Sequence, residues 1–286
     1  MGRMELPGGS CLDFSGPALV MAVVNCNEDS FYAPSRALGE RAVEKALAAE
    51  EDGAAIVDFG AESSRPSSSY IGCDEELERL IPVIASFRKR SSLPVSVDTR
   101  KAAVARSALD AGADIINDIS GFSDDPEMAL LCAKRGAAVV LMHKKGVPLT
   151  MQDCPHYDNL EGELKSWFAL AVEGALSSGV SSEKIILDPG IGFGKSLEDN
   201  LRIIRGLAAF ARLAETGGKH YPLLVGLSRK NFIGEITGRT DPSDRLGGTL
   251  AANAAAIMNG ADIIRVHDVK EHRDLARILF SLKSGA

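Results

Sequence analysis

Four stretches of the sequence share one phrase: EDGAAIVDFG (51–60), DAGADIINDIS (110–120), RGAAVVLMH (135–143) and NGADIIRVHD (259–268). In each, a helical pattern runs into a Gly and then into a short apolar run that ends in polar residues. Gly in that place permits the left-handed conformation that stops a helix. The apolar run reads as a strand buried on both faces, as in a parallel sheet. Four further runs fit without the Gly lead: ALVMAVVN (18–25), PVSVD (94–98), KIILD (184–188) and PLLVGLS (222–228). Helical patterns separate the strands at 38–52, 74–90, 101–111, 125–135, 159–178, 197–214, 242–259 and 271–283. Eight alternating units without a linker between halves predict an α/β fold, a single (β/α)8 TIM barrel over residues 18–286. Residues 1–17 read as an N-terminal extension. A doubly wound open sheet is the alternative, but no nucleotide fingerprint follows the first strand.

The composition agrees with a barrel. The chain has 286 residues, 45% of them apolar and 25% charged, with a formal net charge of −7. No basic stripe is visible, which argues against a nucleic-acid surface. No apolar run reaches the ~18 residues of a membrane span. Residues 1–17 carry Glu5 and Asp13 and do not read as a secretory signal. The five cysteines are scattered without CxxC spacing, which points to reduced thiols and a cytoplasmic setting.

Function is read from the strand ends, which are Asn25, Asp58, Asp98, Asn117 with Asp118, His143, Asp188, Ser228, and Arg265 with His267. In a barrel these meet on one rim, where active sites sit. Any one of them reads equally well as a cap; eight together do not. DPGIGFGKSLEDN (188–200) resembles a phosphate loop but fails both tests. Pro189 stands where a Walker motif needs Gly, and Lys195 stands where GxGxxG needs its third Gly. It reads instead as backbone approaching a flat ligand, with Asp188 at its base and Phe193 as a wall. In VGLSRKNFIGE (225–235), Arg229 and Lys230 sit at a helix N-terminus, which disfavours cations unless an anion lies between. With Arg265 and His267 they supply a local positive field. Asp98, Asn117 and Asp188 suit a heterocycle that presents adjacent ring N–H and NH2 donors. His156, His220, His272 and Trp167 carry no functional reading.

These residues are similar to those of a known family. VNCNEDSF (24–31), DFGAESSRP (58–66), VSVDTRKAAVARSALDAGADIINDISG (95–121), LMHKKGVPLTMQ (141–152), ILDPGIGFGKSLEDN (186–200), GLSRKNFIG (226–234) and RVHDV (265–269) resemble the dihydropteroate synthases, in family order and across nearly the whole chain. The resemblance implies condensation of a dihydropterin diphosphate with p-aminobenzoate, with loss of pyrophosphate, on a sulfonamide target. It implies that Asp98, Asn117, Met142, Asp188 and Lys230 bind the pterin and that Arg265 stacks on its face. Lys230, Asp98 and Arg265 are the implied catalytic groups. Ser64, Arg65, Pro66, Phe193 and Ser228 are implied for p-aminobenzoate, and Asn25, Ser64, Arg65 and His267 for the diphosphate. Asn25 is implied to hold Mg2+, and the assembly is implied to be a homodimer without nucleic-acid or membrane partners.

Two loops depart from the family pattern. N-x-T-P-D-S-F becomes Asn25-Cys26-Asn27-Glu28-Asp29-Ser30-Phe31, which loses the φ that Pro fixes. S-T-R-P-G becomes Ser63-Ser64-Arg65-Pro66-Ser67, which loses the freedom of Gly. Two other readings share the pterin residues. One is methyl transfer from a methyl-tetrahydrofolate to a corrinoid protein, which has no need of the GLSRK and RVH cations. The other is a paralogue that binds pterin without catalysis, supported only by the altered first loop.

Overall fold

The computed structural model describes residues 2–26, 35–62, 70–147, 150–153, 155–213 and 218–284. An antiparallel hairpin opens the chain, with β1 (Arg3–Glu5) paired to β2 (Cys11–Asp13). Eight parallel strands follow: β3 (Leu19–Asn25), β4 (Ile56–Gly60), β5 (Val95–Asp98), β6 (Ile115–Asp118), β7 (Ala138–Met142), β8 (Ile185–Asp188), β9 (Leu224–Gly226) and β10 (Ile263–Val266). Their order is β8-β7-β6-β5-β4-β3-β10-β9. The N–H of Leu187 donates to the carbonyl of Pro222 at 2.9 Å, which brings β8 against β9 and closes the barrel.

Helices α1 (Ser35–Glu51), α2 (Cys73–Arg88), α3 (Ala102–Asp110), α4 (Met128–Arg135), α5 (Leu160–Ser177), α6 (Leu197–Arg205), α7 (Asn231–Thr237), α8 (Leu246–Met258) and α9 (Val269–Ser284) lie between and after the strands. The glycines of the repeated phrase behave as read: Gly53, Gly112, Gly136 and Gly260 all have φ between 62° and 107°. Three helices differ from the expectation. α7 (Asn231–Thr237) falls in none of the eight expected stretches. The one expected over 197–214 stops at Arg205, because Gly206 breaks it into the short 3-10 turn Leu207–Phe210. The one expected over 242–259 opens as a 3-10 turn, Pro242–Arg245, capped by the Asp241 carboxylate, before α8 begins.

Side chains alternate across each strand, and this sorts the core into two bodies. Val57, Phe59, Val95, Val97, Ile116, Leu187 and Val225 face outward and pack under the helices. Met21, Ile56, Ile115, Ala138, Val140, Ile186, Leu224 and Ile263 face inward and form a second, apolar cluster. Met4, Leu6 and Leu12 of the hairpin complete that cluster. Gly8 N donates to Asp114, just before β6, so the hairpin sits at the N-terminal end of the barrel. Further along the same inward rows stand Asn25, Asp58, Asp98, Asn117, Asp188 and Arg265. The barrel interior is apolar below and polar above, and the polar layer faces the C-terminal rim.

The hairpin is therefore a plug, remote from that rim. Leu12→Ala is expected to cost about 2–5 kcal/mol in urea unfolding and to leave ligand affinity at the mouth unchanged. A midpoint like that of the parent chain would show that the barrel does not need the plug.

Candidate active site

The residues expected at the rim fall into two groups. The deeper group lies on strand interiors. Strand register makes Asp98 the neighbour of Asn117, and Met142 the neighbour of Asp188. Asp58, placed at a strand end by the sequence, lies two residues inside β4 and is fully buried. Its Oδ2 accepts from Arg265 Nε at 2.6 Å and from Asn117 Nδ2 at 3.4 Å. Arg265 Nη2 reaches Asp98 Oδ2 at 3.1 Å. Two carboxylates thus grip the edges of one guanidinium and set its plane. Burial opposes the Arg265 charge, but Asp58 and Asp98 outweigh it and hold its pKa above the usual value. Burial pushes Asp98 above the ordinary carboxylate range, against the pull of Arg265 and with the repulsion of Asp58. Asp188 is raised as well by burial, opposed by Lys230 and the N–H of Gly190. Met142 is buried at the end of β7, against Gly190.

The outer group walls a cavity of about 790 Å3 at the mouth, with Asn25, Gln152, Phe193, Arg229, Lys230 and His267 among its lining. Lys230 links the two groups. Its ammonium donates to the carbonyl of Ile191, lies 4.6 Å from the Phe193 ring centroid and feels Asp188. Burial pulls its pKa down to about 8, against the attraction of Asp188. His267 Nδ1 lies 3.0 Å from Ser228 Oγ, so these two expected residues share a hydrogen bond.

Arg229 differs from the expectation of a cation directed at a ligand. Its guanidinium is paired with Asp268 at 2.6 and 3.1 Å, and its backbone N–H donates to Thr249 Oγ1. That carboxylate lies on the loop before α9 and could not be matched to Arg229 by spacing. His143 and Asp118 also leave the chemistry. Burial and Lys195 drive the His143 pKa down to about 3. Asp118 accepts from Ser120 and the N–H of Phe122, which closes a turn. Trp167 packs edge-on against His143, as a packing residue would.

The pattern of the pterin binding enzyme family matches residues 21–267. The chain belongs to this family. It is 42% identical to the dihydropteroate synthase of Synechocystis sp., over 97% of this chain and 94% of that protein. The structure of Xanthomonas albilineans dihydropteroate synthase with 4-aminobenzoic acid superposes with a TM-score of 0.88 at 36% identity, covering 99% of this chain and 98% of the other. That of Burkholderia cenocepacia dihydropteroate synthase with 7,8-dihydropteroate gives 0.88 at 34% identity, covering 99% and 97%.

Within this pterin-binding chain, Ser64, Arg65 and Pro66 lie outside the described residues, as do Asn27, Glu28 and Ser67. Asp58, one of the strand-end residues, belongs to the inward row and is a partner of Arg265 instead of a group at the rim. Lys195 escapes the sequence reading: it is buried, with four acceptors around its Nζ.

Asp58→Asn keeps the shape of the grip on Arg265 and removes one counter-charge. It is expected to lower stability by about 1.5–3 kcal/mol and to weaken pterin affinity in calorimetry. Unchanged stability and affinity would mean that Asp98 alone holds Arg265.

Proposed function

We propose that this chain is a dihydropteroate synthase of folate biosynthesis. It condenses 6-hydroxymethyl-7,8-dihydropterin diphosphate with p-aminobenzoate, forming 7,8-dihydropteroate and pyrophosphate. The observation that carries the reading is the charge balance of the inner layer. Three carboxylates, Asp58, Asp98 and Asp188, face two cations, Arg265 and Lys230. Asp58 and Asp98 grip Arg265, but Asp98 and Asp188 keep acceptor capacity in a desolvated place. A pterin edge offers the ring N–H and NH2 donors such acceptors need.

In this reading Asp98, Asn117 and Asp188 accept from or bond to the pterin edge, and Met142 packs beneath it. Lys230 donates to the ring from the mouth side. Arg265, with its edges held, offers its flat face for stacking. The C–O bond between the pterin methylene and the diphosphate breaks, and the electron pair leaves with pyrophosphate. The electron-rich pterin shares the positive charge left on the methylene. The aniline nitrogen then attacks with its lone pair, the C–N bond forms and the nitrogen proton passes to solvent. The amine is neutral at pH 7, so no strong base is required. Phe193 walls the aminobenzoate ring with Pro66, and Ser228 meets its carboxylate. His267 and Asn25 are assigned to the diphosphate, as the resemblance assigns Ser64 and Arg65.

Mg2+ fits the site in a limited way. Asn25 offers one exposed amide at the end of β3, and no group of three His, Cys, Asp or Glu among the described residues could hold a metal. One amide oxygen suits an ion that keeps its waters and arrives with a diphosphate. When bound, it would neutralise charge on the leaving group. We place the enzyme in the cytoplasm. Cys11, Cys26, Cys73 and Cys132 are free thiols, and no helix among the described residues is long and apolar enough to cross a membrane. A homodimer through outer helices is supported by Ile236, Met258, Ile278 and Leu282, which are exposed on α7, α8 and α9.

A coupled pyrophosphate assay tests the reading. Release is expected only with both substrates and Mg2+ present, and Lys230→Ala should lower kcat/KM by at least about a hundredfold. The double change Asn27→Thr with Glu28→Pro should raise the rate if the first loop limits turnover. Absence of pyrophosphate at saturating substrates would refute the assignment.

A further inference from the structure

Lys195 is 2% exposed, and among the described residues no carboxylate lies within hydrogen-bond distance of it. A buried ammonium without a carboxylate is costly: burial pulls the Lys195 pKa down to about 7, against the attraction of Asp188, so its partners call for an explanation. Nζ lies 3.0 Å from Nδ1 of His143 and donates to the carbonyls of Gly190 (3.0 Å), Phe193 (3.1 Å) and His143 (3.3 Å). Three backbone oxygens and one imidazole nitrogen converge on a single point. An ammonium carries three N–H groups, so with His143 Nδ1 as an acceptor one N–H is shared between two of these four groups.

The convergence comes from two segments pressed together. Gly190 and Gly194 both have φ of 65°. A Cβ on Gly190 would run into the carbonyl oxygen of His143, and one on Gly194 into that of Lys145. The loop after β8 therefore lies directly on the segment after β7. Such close approach crowds carbonyl dipoles, and the Lys195 ammonium satisfies them.

The same loop carries three groups toward the ligand space. The Gly190 N–H donates to Asp188 Oδ1 at 2.7 Å. The Ile191 carbonyl accepts from Lys230. The Phe193 ring lies beneath the Lys230 ammonium. Lys195 lines the same cavity, and its Nζ sits in the joint between the two segments, bonded to Gly190, Phe193 and His143.

We propose that Lys195 is a positioning residue for the transfer reaction: its buried amino group clamps the loop 190–194 onto the end of β7 and so sets the Phe193 wall for the second substrate. The inference rests on the dihydropteroate synthase reading for its substrate, but not for the clamp. Lys195 does not touch the reacting atoms and acts through the loop.

A double-mutant cycle on the full chain tests it. Wild type, Lys195→Met, Phe193→Ala and the double variant are compared for kcat and for the KM of each substrate. Lys195→Met is expected to raise the KM for p-aminobenzoate by about tenfold, with a smaller change for the pterin diphosphate. In the Phe193→Ala background the same change should have little further effect. Equal losses in both backgrounds, or an unchanged KM, would overturn the proposal. If Lys195→Met does not fold, Lys195→Arg serves in the same cycle. It keeps the charge, but its longer planar group cannot meet all the acceptors, and the same non-additivity is expected. Hydrogen exchange separates this inference from the functional reading. Amides 190–195 should exchange faster in the Lys195 variant while those of β3–β6 do not change, whether or not wild type releases pyrophosphate. Unaltered exchange in the loop would overturn the clamp, and an inactive wild type would overturn only the assigned reaction.

Discussion

The grip of Asp58 and Asp98 on Arg265 is the constraint around which the upper barrel is organised. A guanidinium inside a barrel needs counter-charge, and two carboxylates on neighbouring strands supply it at 2.6 and 3.1 Å. Their spacing depends on the β4–β5 register and on β10 lying beside β3. The grip in turn leaves the guanidinium face unoccupied by its partners and surrounds it with acceptors. Charge, register and ligand chemistry are one problem here, solved by a single inward row of residues.

The lower barrel makes that arrangement affordable in physical terms. Apolar inward residues and the hairpin plug of Met4, Leu6 and Leu12 exclude water from below. Electrostatic interactions above such a floor are strengthened, and unpaired charges there are penalised. This explains why the carboxylates are raised and Lys230 is lowered by burial. Arg229, nearer the surface, is paired with Asp268.

Much of this was legible in the sequence, and for identifiable reasons. Continuous apolar runs and helix-stopping glycines mark buried parallel strands, so all eight barrel strands could be read. Asp98, Asn117, Asp188 and Arg265 end or nearly end their strands, so their convergence followed from the fold. Partners far apart in sequence were not legible. Asp268 meets Arg229 across 39 positions, and His143 meets Lys195 across 52. Lys195 resembled an interruption of a glycine motif because its role depends on carbonyls, which carry no side-chain signature. The ends of two helices were misplaced where Gly206 and the Asp241-Pro242 cap overrode hydrophobic periodicity.

The barrel mouth holds carboxylates whose acceptor capacity awaits donors. Calorimetric titration with 6-hydroxymethylpterin, in buffers of different ionisation enthalpy near about pH 6, tests this most directly. Asp98 and Asp188 stand above the ordinary carboxylate value in the free protein. Donated hydrogen bonds favour the ionised form and lower such values, so binding should release protons, and the apparent enthalpy should vary with the buffer. Proton uptake, or an enthalpy independent of the buffer, would contradict the account.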